Sequence, residues 1–187
     1  MKFIKGNNIF NLILLAPILL VACKGNEIYS FTPEIKNVNE YVMDNSAGTR
    51  DSIVMLSFDY TDGDGDIGLD VSVTAPPFNS DTLGPNHSNS NRYANNVWVD
   101  YYQKINGEYI PPIFPTTTDT IRRDVRTGDL TPEGTHKAIR GTISLPVLTL
   151  SPSWPGRSDT VQIRVRLLDR ALHISNELRT PDIILHP

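Results

Sequence analysis

The sequence predicts an all-β protein, a two-sheet antiparallel β-sandwich, and two features predict it. Fourteen prolines and twelve glycines are spread through the 187 residues and cut the chain into short segments. Beyond residue 23, apolar residues recur with period two, and no stretch sustains the 3.6-residue period of a helix. Residues 29–187 have the length of one domain, enough to bury a core without disulfides, and a single cysteine offers none.

Taken in order, residues 1–22 have the shape of a secretory signal. Lys2 and Lys5 form a positive start, apolar residues run from Ile9 to Leu20 broken only by Asn11 and Pro17, and small Ala22 precedes Cys23. The run is too short, and too interrupted at Pro17, for a permanent spanning helix. Leu20-Val21-Ala22-Cys23 resembles the lipobox of bacterial lipoproteins. That resemblance implies removal of the signal before Cys23 and acylation of the new N-terminal cysteine. The competing reading, an exported chain with a free or intermolecularly bonded thiol, leaves a reactive group in an oxidising compartment, a liability that acylation removes. Residues 23–28 are then a polar, lipidated tether containing Lys24-Gly25-Asn26-Glu27. By the same resemblance, Lys24 in place of an aspartate argues against retention in an inner membrane, so the expected location is the cell envelope, at the outer membrane.

Strands are expected next at Tyr29–Ile35 and Ser52–Tyr60, the second so rich in strand formers that it reads as central and buried on both faces. Further strands are expected at Ile67–Val73, Val97–Ile105, Thr120–Val125, Lys137–Leu145, Thr160–Leu168 and Pro181–Leu185. Asn106-Gly107 supplies the positive φ angles of a tight hairpin turn leading into Glu108-Tyr109-Ile110. In the Thr160–Leu168 strand, Val161, Ile163, Val165 and Leu167 alternate with Gln162, Arg164 and Arg166, so the arginine face looks outward. Residues 76–96, dominated by Pro, Asn, Ser and Gly, are expected to be a long, mobile, exposed loop, and 128–136 a set of turns.

Asp62-Gly63-Asp64-Gly65-Asp66-Ile67-Gly68-Leu69-Asp70 carries the clearest chemistry. Carboxylates alternate with glycines that let the backbone curl, so their oxygens can converge on a hard cation that relieves their mutual repulsion. Calcium fits best, because it takes six to eight oxygen ligands in tolerant geometry. Asp62, Asp64 and Asp66 match the first three ligand positions of an EF-hand, Gly68 the carbonyl position and Asp70 the next. Ile67 stands where the invariant glycine belongs and Val73 where the bidentate glutamate belongs, and the flanks read as strands, so this is no EF-hand. A further ligand must come from elsewhere. If the strands before Asp62 and before Asp169 are the B and F strands of an immunoglobulin-like sandwich, their following loops share one pole, and Asp169 closes the site. The competing reading is a solvated acidic turn.

Ser57 to Gly68, together with Leu168-Asp169-Arg170-Ala171-Leu172-His173-Ile174-Ser175-Asn176-Glu177, resembles uncharacterised envelope lipoproteins of Bacteroidota. The second stretch is also similar to the loop before the last strand of many bacterial immunoglobulin-like domains. The resemblance implies fold and location, and no activity.

The net charge of −4, more negative once the signal is removed, argues against a nucleic-acid partner. No Gly-x-Ser-x-Gly elbow, His-Glu-x-x-His helix or phosphate loop is present, and His87, His136, His173 and His186 are scattered. Carboxylate pairs among Asp100, Glu108 and Glu133 are no more than any acidic chain offers. The expectation is a non-catalytic, lipid-anchored protein whose sandwich binds or supports another envelope component. The alternative is a glycan-binding surface lipoprotein of a nutrient-uptake system, which needs Trp98 or Tyr101 exposed as a stacking platform on the hairpin that also holds Tyr102 and Tyr109. A third reading, hydrolysis by a cation-activated water at the Asp62 loop, needs an open coordination position.

Overall fold

The computed structural model describes residues 28–44, 51–79, 90–116, 118–131, 137–150, 154 and 156–186. The expected signal, Cys23 and the tether up to residue 27 lie outside the described residues, as do His87, Glu133 and His136. Eight strands are present among the described residues: Glu34–Asp44 (β1), Asp51–Asp62 (β2), Val97–Ile105 (β3), Glu108–Ile110 (β4), Ile139–Leu148 (β5), Thr160–Leu167 (β6), Leu178–Arg179 (β7) and Ile183–Ile184 (β8). The helical content among the described residues is one 3-10 turn, Arg92–Ala94, and no helix there is long and apolar enough to cross a membrane.

Two antiparallel sheets result, one ordered β1-β2-β5 and the other β4-β3-β6-β7, with β8 pairing β6 beyond β7. Strands one, two and five facing three, four, six and the last is the connectivity of an immunoglobulin-like sandwich. The core is the meeting of the alternating inner faces. Val54, Leu56, Phe58 and Tyr60 of β2 and Ile143, Leu145 and Val147 of β5 pack against Val97, Val99 and Tyr101 of β3 and Val161, Ile163, Val165 and Leu167 of β6. β2 is central, as expected. Burial on both faces is not found, because Ile53, Met55, Ser57 and Asp59 on its outer face are only half covered.

Asn106 and Gly107 have φ of 51° and 86°, the two positive angles of a type I′ turn, and Ile105 pairs with Glu108 across it. The Tyr29–Ile35 expectation fails because pairing with β2 begins only at Glu34. Ile67–Val73 is not a strand: Ile67 makes a single bridge to Asp169 and the chain turns at Val71–Ser72. Thr120–Val125 does lie along the β3 edge, but as isolated bridges. The Val99 N–H donates to the Asp124 side chain at 2.8 Å instead of to a backbone carbonyl, which interrupts the ladder. Pro181, with no N–H to give, splits the last strand into β7 and β8; between them Thr180 pairs with Ile163 through its backbone N–H and its hydroxyl. β5 runs on through Pro146, tolerable because, among the described residues, β2 is its one partner strand.

The 76–96 stretch is not uniformly exposed at its described ends. Asn95 and Asn96 are buried, and the Asn91 amide donates to the carbonyls of Pro77 and Asn79. Arg126 draws the same region in, donating from one guanidinium to the carbonyls of Leu69, Asp70, Val73, Phe78 and Ala94 at 2.6–3.3 Å. Residues 80–89, the centre of the expected mobile loop, lie outside the described residues.

Candidate metal centre

β2 ends on Asp62, and β6 ends two residues before Asp169. The strands run in the same direction, so both ends reach one pole of the sandwich, where Ile67 bridges to Asp169. Asp62, Asp66 and Asp169 each bring a carboxylate oxygen into a group whose members lie within 4.8 Å of one another. Asp62 is 0 % exposed and Asp169 1 %. Gly65 makes the turn possible: it sits at φ +73° with the Lys137 carbonyl 2.3 Å from where a Cβ would stand.

Polar neighbours hold the carboxylates in place, with His173 the one cationic partner at hydrogen-bond distance among the described residues. Asp62 Oδ2 accepts from the Asp66 N–H at 3.0 Å, and Asp66 Oδ2 accepts from the Ala171 N–H at 2.9 Å. Asp169 Oδ1 accepts from the His173 N–H at 2.7 Å, and its Oδ2 lies 2.8 Å from His173 Nδ1. The Arg170 N–H donates to the Asp66 carbonyl, while the Arg170 guanidinium turns to Asp129 at 2.9 Å. Asp62 Oδ1, Asp64 Oδ1 and Asp66 Oδ1 are buried with no hydrogen-bond partner. A buried acceptor left in that state costs about 1–3 kcal/mol, so these oxygens call for a donor or a cation.

Electrostatics point the same way. Burial, followed by the charge of Asp64, pushes the Asp62 carboxyl up to about 7. Asp66 is raised by burial and then by Asp169 and Asp64, and Asp169 is raised by burial against the pull of His173. The hydrogen bond and charge of Asp169 raise His173 in turn. At 4.8 Å two carboxylate charges repel by about 3 kcal/mol in a medium of effective dielectric about 20. A divalent cation among them reverses that sign and occupies the unpartnered oxygens.

The structure therefore joins Asp62, Asp66 and Asp169 into a group that can hold a metal ion. Asp64 brings charge and a buried unpartnered oxygen but lies outside the 4.8 Å group. Asp70, expected as a ligand, is not among the converging carboxylates, while Gly68 is expected to offer its backbone carbonyl. After Ile67 the chain is drawn towards residues 127–130, with Leu69 N–H donating to Thr127 O and Leu130 N–H to Ile67 O. Gly68, at φ +110°, is lodged against Gly128, and Asp70 is exposed, its Oδ1 accepting from the Ser72 N–H. His173 was not distinguishable from the other histidines in sequence. The signal that singles it out is its i, i+4 spacing from Asp169 in a tight loop.

The aromatic platform is not formed by the rings expected to form it. The hairpin alternation holds, with Tyr101 facing the core and Trp98 and Tyr102 the outer face, yet Trp98 is 5 % and Tyr101 1 % exposed. Trp98 Nε1 donates to the Arg92 and Asn95 carbonyls, and the Arg92 guanidinium lies 4.7 Å over its ring. Arg164 covers Tyr102 at 3.9 Å. Arg92 and Arg166 both pair with Asp100, which engages that carboxylate in packing the outer face. No protein-family model matches this chain, and no curated protein and no solved structure is significantly similar to it.

Proposed function

We propose that this is a lipid-anchored, non-catalytic envelope protein whose immunoglobulin-like sandwich supports or binds another envelope component, with a structural calcium ion fastening the pole where β2 and β6 end. The observation that carries the calcium reading is the fully buried Asp62 carboxylate, whose Oδ1 lacks a partner while Asp66 and Asp169 converge on it. The burial of two of the three carboxylates, Asp62 and Asp169, supports a structural ion over a reactive one. Affinity in the roughly 10⁻⁴ to 10⁻³ M range of extracellular modules suits that role. The anchor rests on Leu20-Val21-Ala22-Cys23. Several acyl chains on one residue, at about 0.8 kcal/mol per buried CH₂, hold a protein firmly on a bilayer. The glycan-binding alternative loses its main support with the burial of Trp98 and Tyr101.

The test is affinity isolation of the lipidated, C-terminally tagged protein from its own envelope, with and without a calcium chelator. A stoichiometric protein partner that is lost on chelation is the expected result. Recovery of the protein alone under both conditions overturns the supporting role.

A further inference from the structure

We infer that the cation at Asp62, Asp66 and Asp169 acts as a clamp, fixing segment 28–35, the part nearest Cys23, to the body of the sandwich; the inference rests on the calcium reading above, and its consequence for the membrane rests on the anchor reading. Both loops that supply the carboxylates also grip this segment. From the β2 side, Gly63, adjacent to Asp62, donates its N–H to the Ser30 carbonyl at 2.7 Å. The approach is so close that a Cβ on Gly63 would lie 2.4 Å from the Tyr29 carbonyl and 2.9 Å from Phe31 Cδ1. From the β6 side, the Asn176 amide pairs with both backbone groups of Ile35, accepting from its N–H at 2.9 Å and donating to its carbonyl at 2.8 Å. Asn176 closes the loop that begins at Asp169, and Ser175 beside it is tied to the end of β6 through the Leu167 N–H.

At its end the segment joins the sheet, where Glu34 and Ile35 pair with Thr61 and Tyr60 and Ile35 enters the core; the stretch before them is held mainly at the surface. Ile28, Ser30, Phe31 and Thr32 are exposed, and Pro33 and Ile35 are the two residues it buries. A stretch with few buried apolar contacts opens locally at low cost, so its order follows the order of the two loops that grip it. Those loops carry like charges on buried carboxylates within 4.8 Å, including the unpartnered Oδ1 of the fully buried Asp62. Without a cation, repulsion drives them apart, and the grips at Ser30 and Ile35 separate with them. With a cation, the two loops and the segment become one unit.

Position gives the clamp its consequence. Cys23 is five residues before Ile28, a span of at most about 18 Å. β2 alone has twelve residues, about 40 Å of strand. The acidic pole is thus the end of the domain nearest the lipid, and the clamped segment is the one through which the anchor pulls.

Hydrogen–deuterium exchange on the acylated full chain, in calcium or in chelator, tests this alongside calorimetry with calcium alone. In chelator, amides of residues 29–36 are expected to exchange at least tenfold faster while those of β3 and β6 keep their rates. Asn176→Ala, which leaves every carboxylate in place, is expected to keep the calcium isotherm and lose the calcium-dependent protection at 29–36. Asn176→Asp, keeping the acceptor but not the donor, is expected to fall between. A calcium isotherm with unchanged exchange at 29–36 overturns the clamp and leaves the site standing. Absence of any isotherm overturns the calcium reading itself.

Discussion

Replacing Asp62 by Asn changes one oxygen for an NH₂ at a site with no exposure, and it should separate the cost of the carboxylates from the gain of the ion. In chelator, wild type bears the repulsion of Asp62 with Asp66, Asp64 and Asp169. Asp62→Asn removes one charge of that set, so the chelated variant should melt at or above wild type. In 10 mM calcium the order should reverse. A ligand of Kd about 10⁻⁴ to 10⁻³ M at that concentration stabilises the folded state by about 1.4–2.7 kcal/mol. For a domain of this size, that is a rise in Tm of about 3–10 °C. Asp62→Asn should show less than a third of the rise, because the most buried ligand has lost its charge. Differential scanning fluorimetry of both proteins, in chelator and across a calcium series, reads all four numbers. No calcium-dependent rise in wild type, or the full rise retained in Asp62→Asn, would refute the reasoning.

The chelated protein should also lose stability as pH rises. The folded-state value of Asp62, about 7, lies above its ordinary 3.8, so the protonated form favours the folded state at low pH and that contribution fades as pH climbs through about 7. Melts in chelator at pH 5.5 and pH 8 should show the lower Tm at pH 8, with calcium closing the gap; equal values in chelator would contradict the burial of this carboxyl. Arg126→Ala removes the donors for five backbone carbonyls, and with charged hydrogen bonds worth about 1.5–3 kcal/mol each but non-additive and partly replaced by water, the expected loss is about 3 kcal/mol. Urea unfolding measures it, and Arg126→Lys should recover little, since an ammonium has three donors and no planar fork. Cys23→Ser should abolish acylation and move the protein from the membrane to the soluble fraction, read by metabolic labelling with palmitate and by fractionation; a labelled, membrane-bound variant would remove the anchor.

Much of the architecture is legible in the chain, because a half-buried strand writes its two faces into alternating residues. Val161, Ile163, Val165 and Leu167 are all core residues, with Arg164 and Arg166 outside, as the alternation requires. Asn106-Gly107 is equally local, since the turn is made by its own φ angles. The failures arise where a distant group competes for the backbone. Thr120–Val125 has the composition of a strand, but the side chain of Asp124 takes a hydrogen bond that the ladder needs. Ile67–Val73 has the alternation, but Ile67 and Leu69 are pulled onto Asp169 and Thr127 instead of onto a neighbouring strand.

The candidate site divides along the same line. Sequence by itself pointed to the Asp62–Asp66 turn as a candidate cation site, because its glycines permit a tight turn and the like charges in it invite a cation. Pairing Asp62 with Asp169 required assuming a sandwich, and that assumption matches the observed sheet order. Only the tertiary structure decided which carboxylates converge, since Asp66 joins Asp62 and Asp169 while Asp70 accepts from Ser72 in a separate turn. It also decided that Trp98 and Tyr101 are packing residues, because exposure is a property of what lies across from a side chain, and for Trp98 that is Arg92 and Tyr93. Alternation along one strand gives the side on which a residue stands. What covers that side comes from parts of the chain whose positions no local pattern encodes.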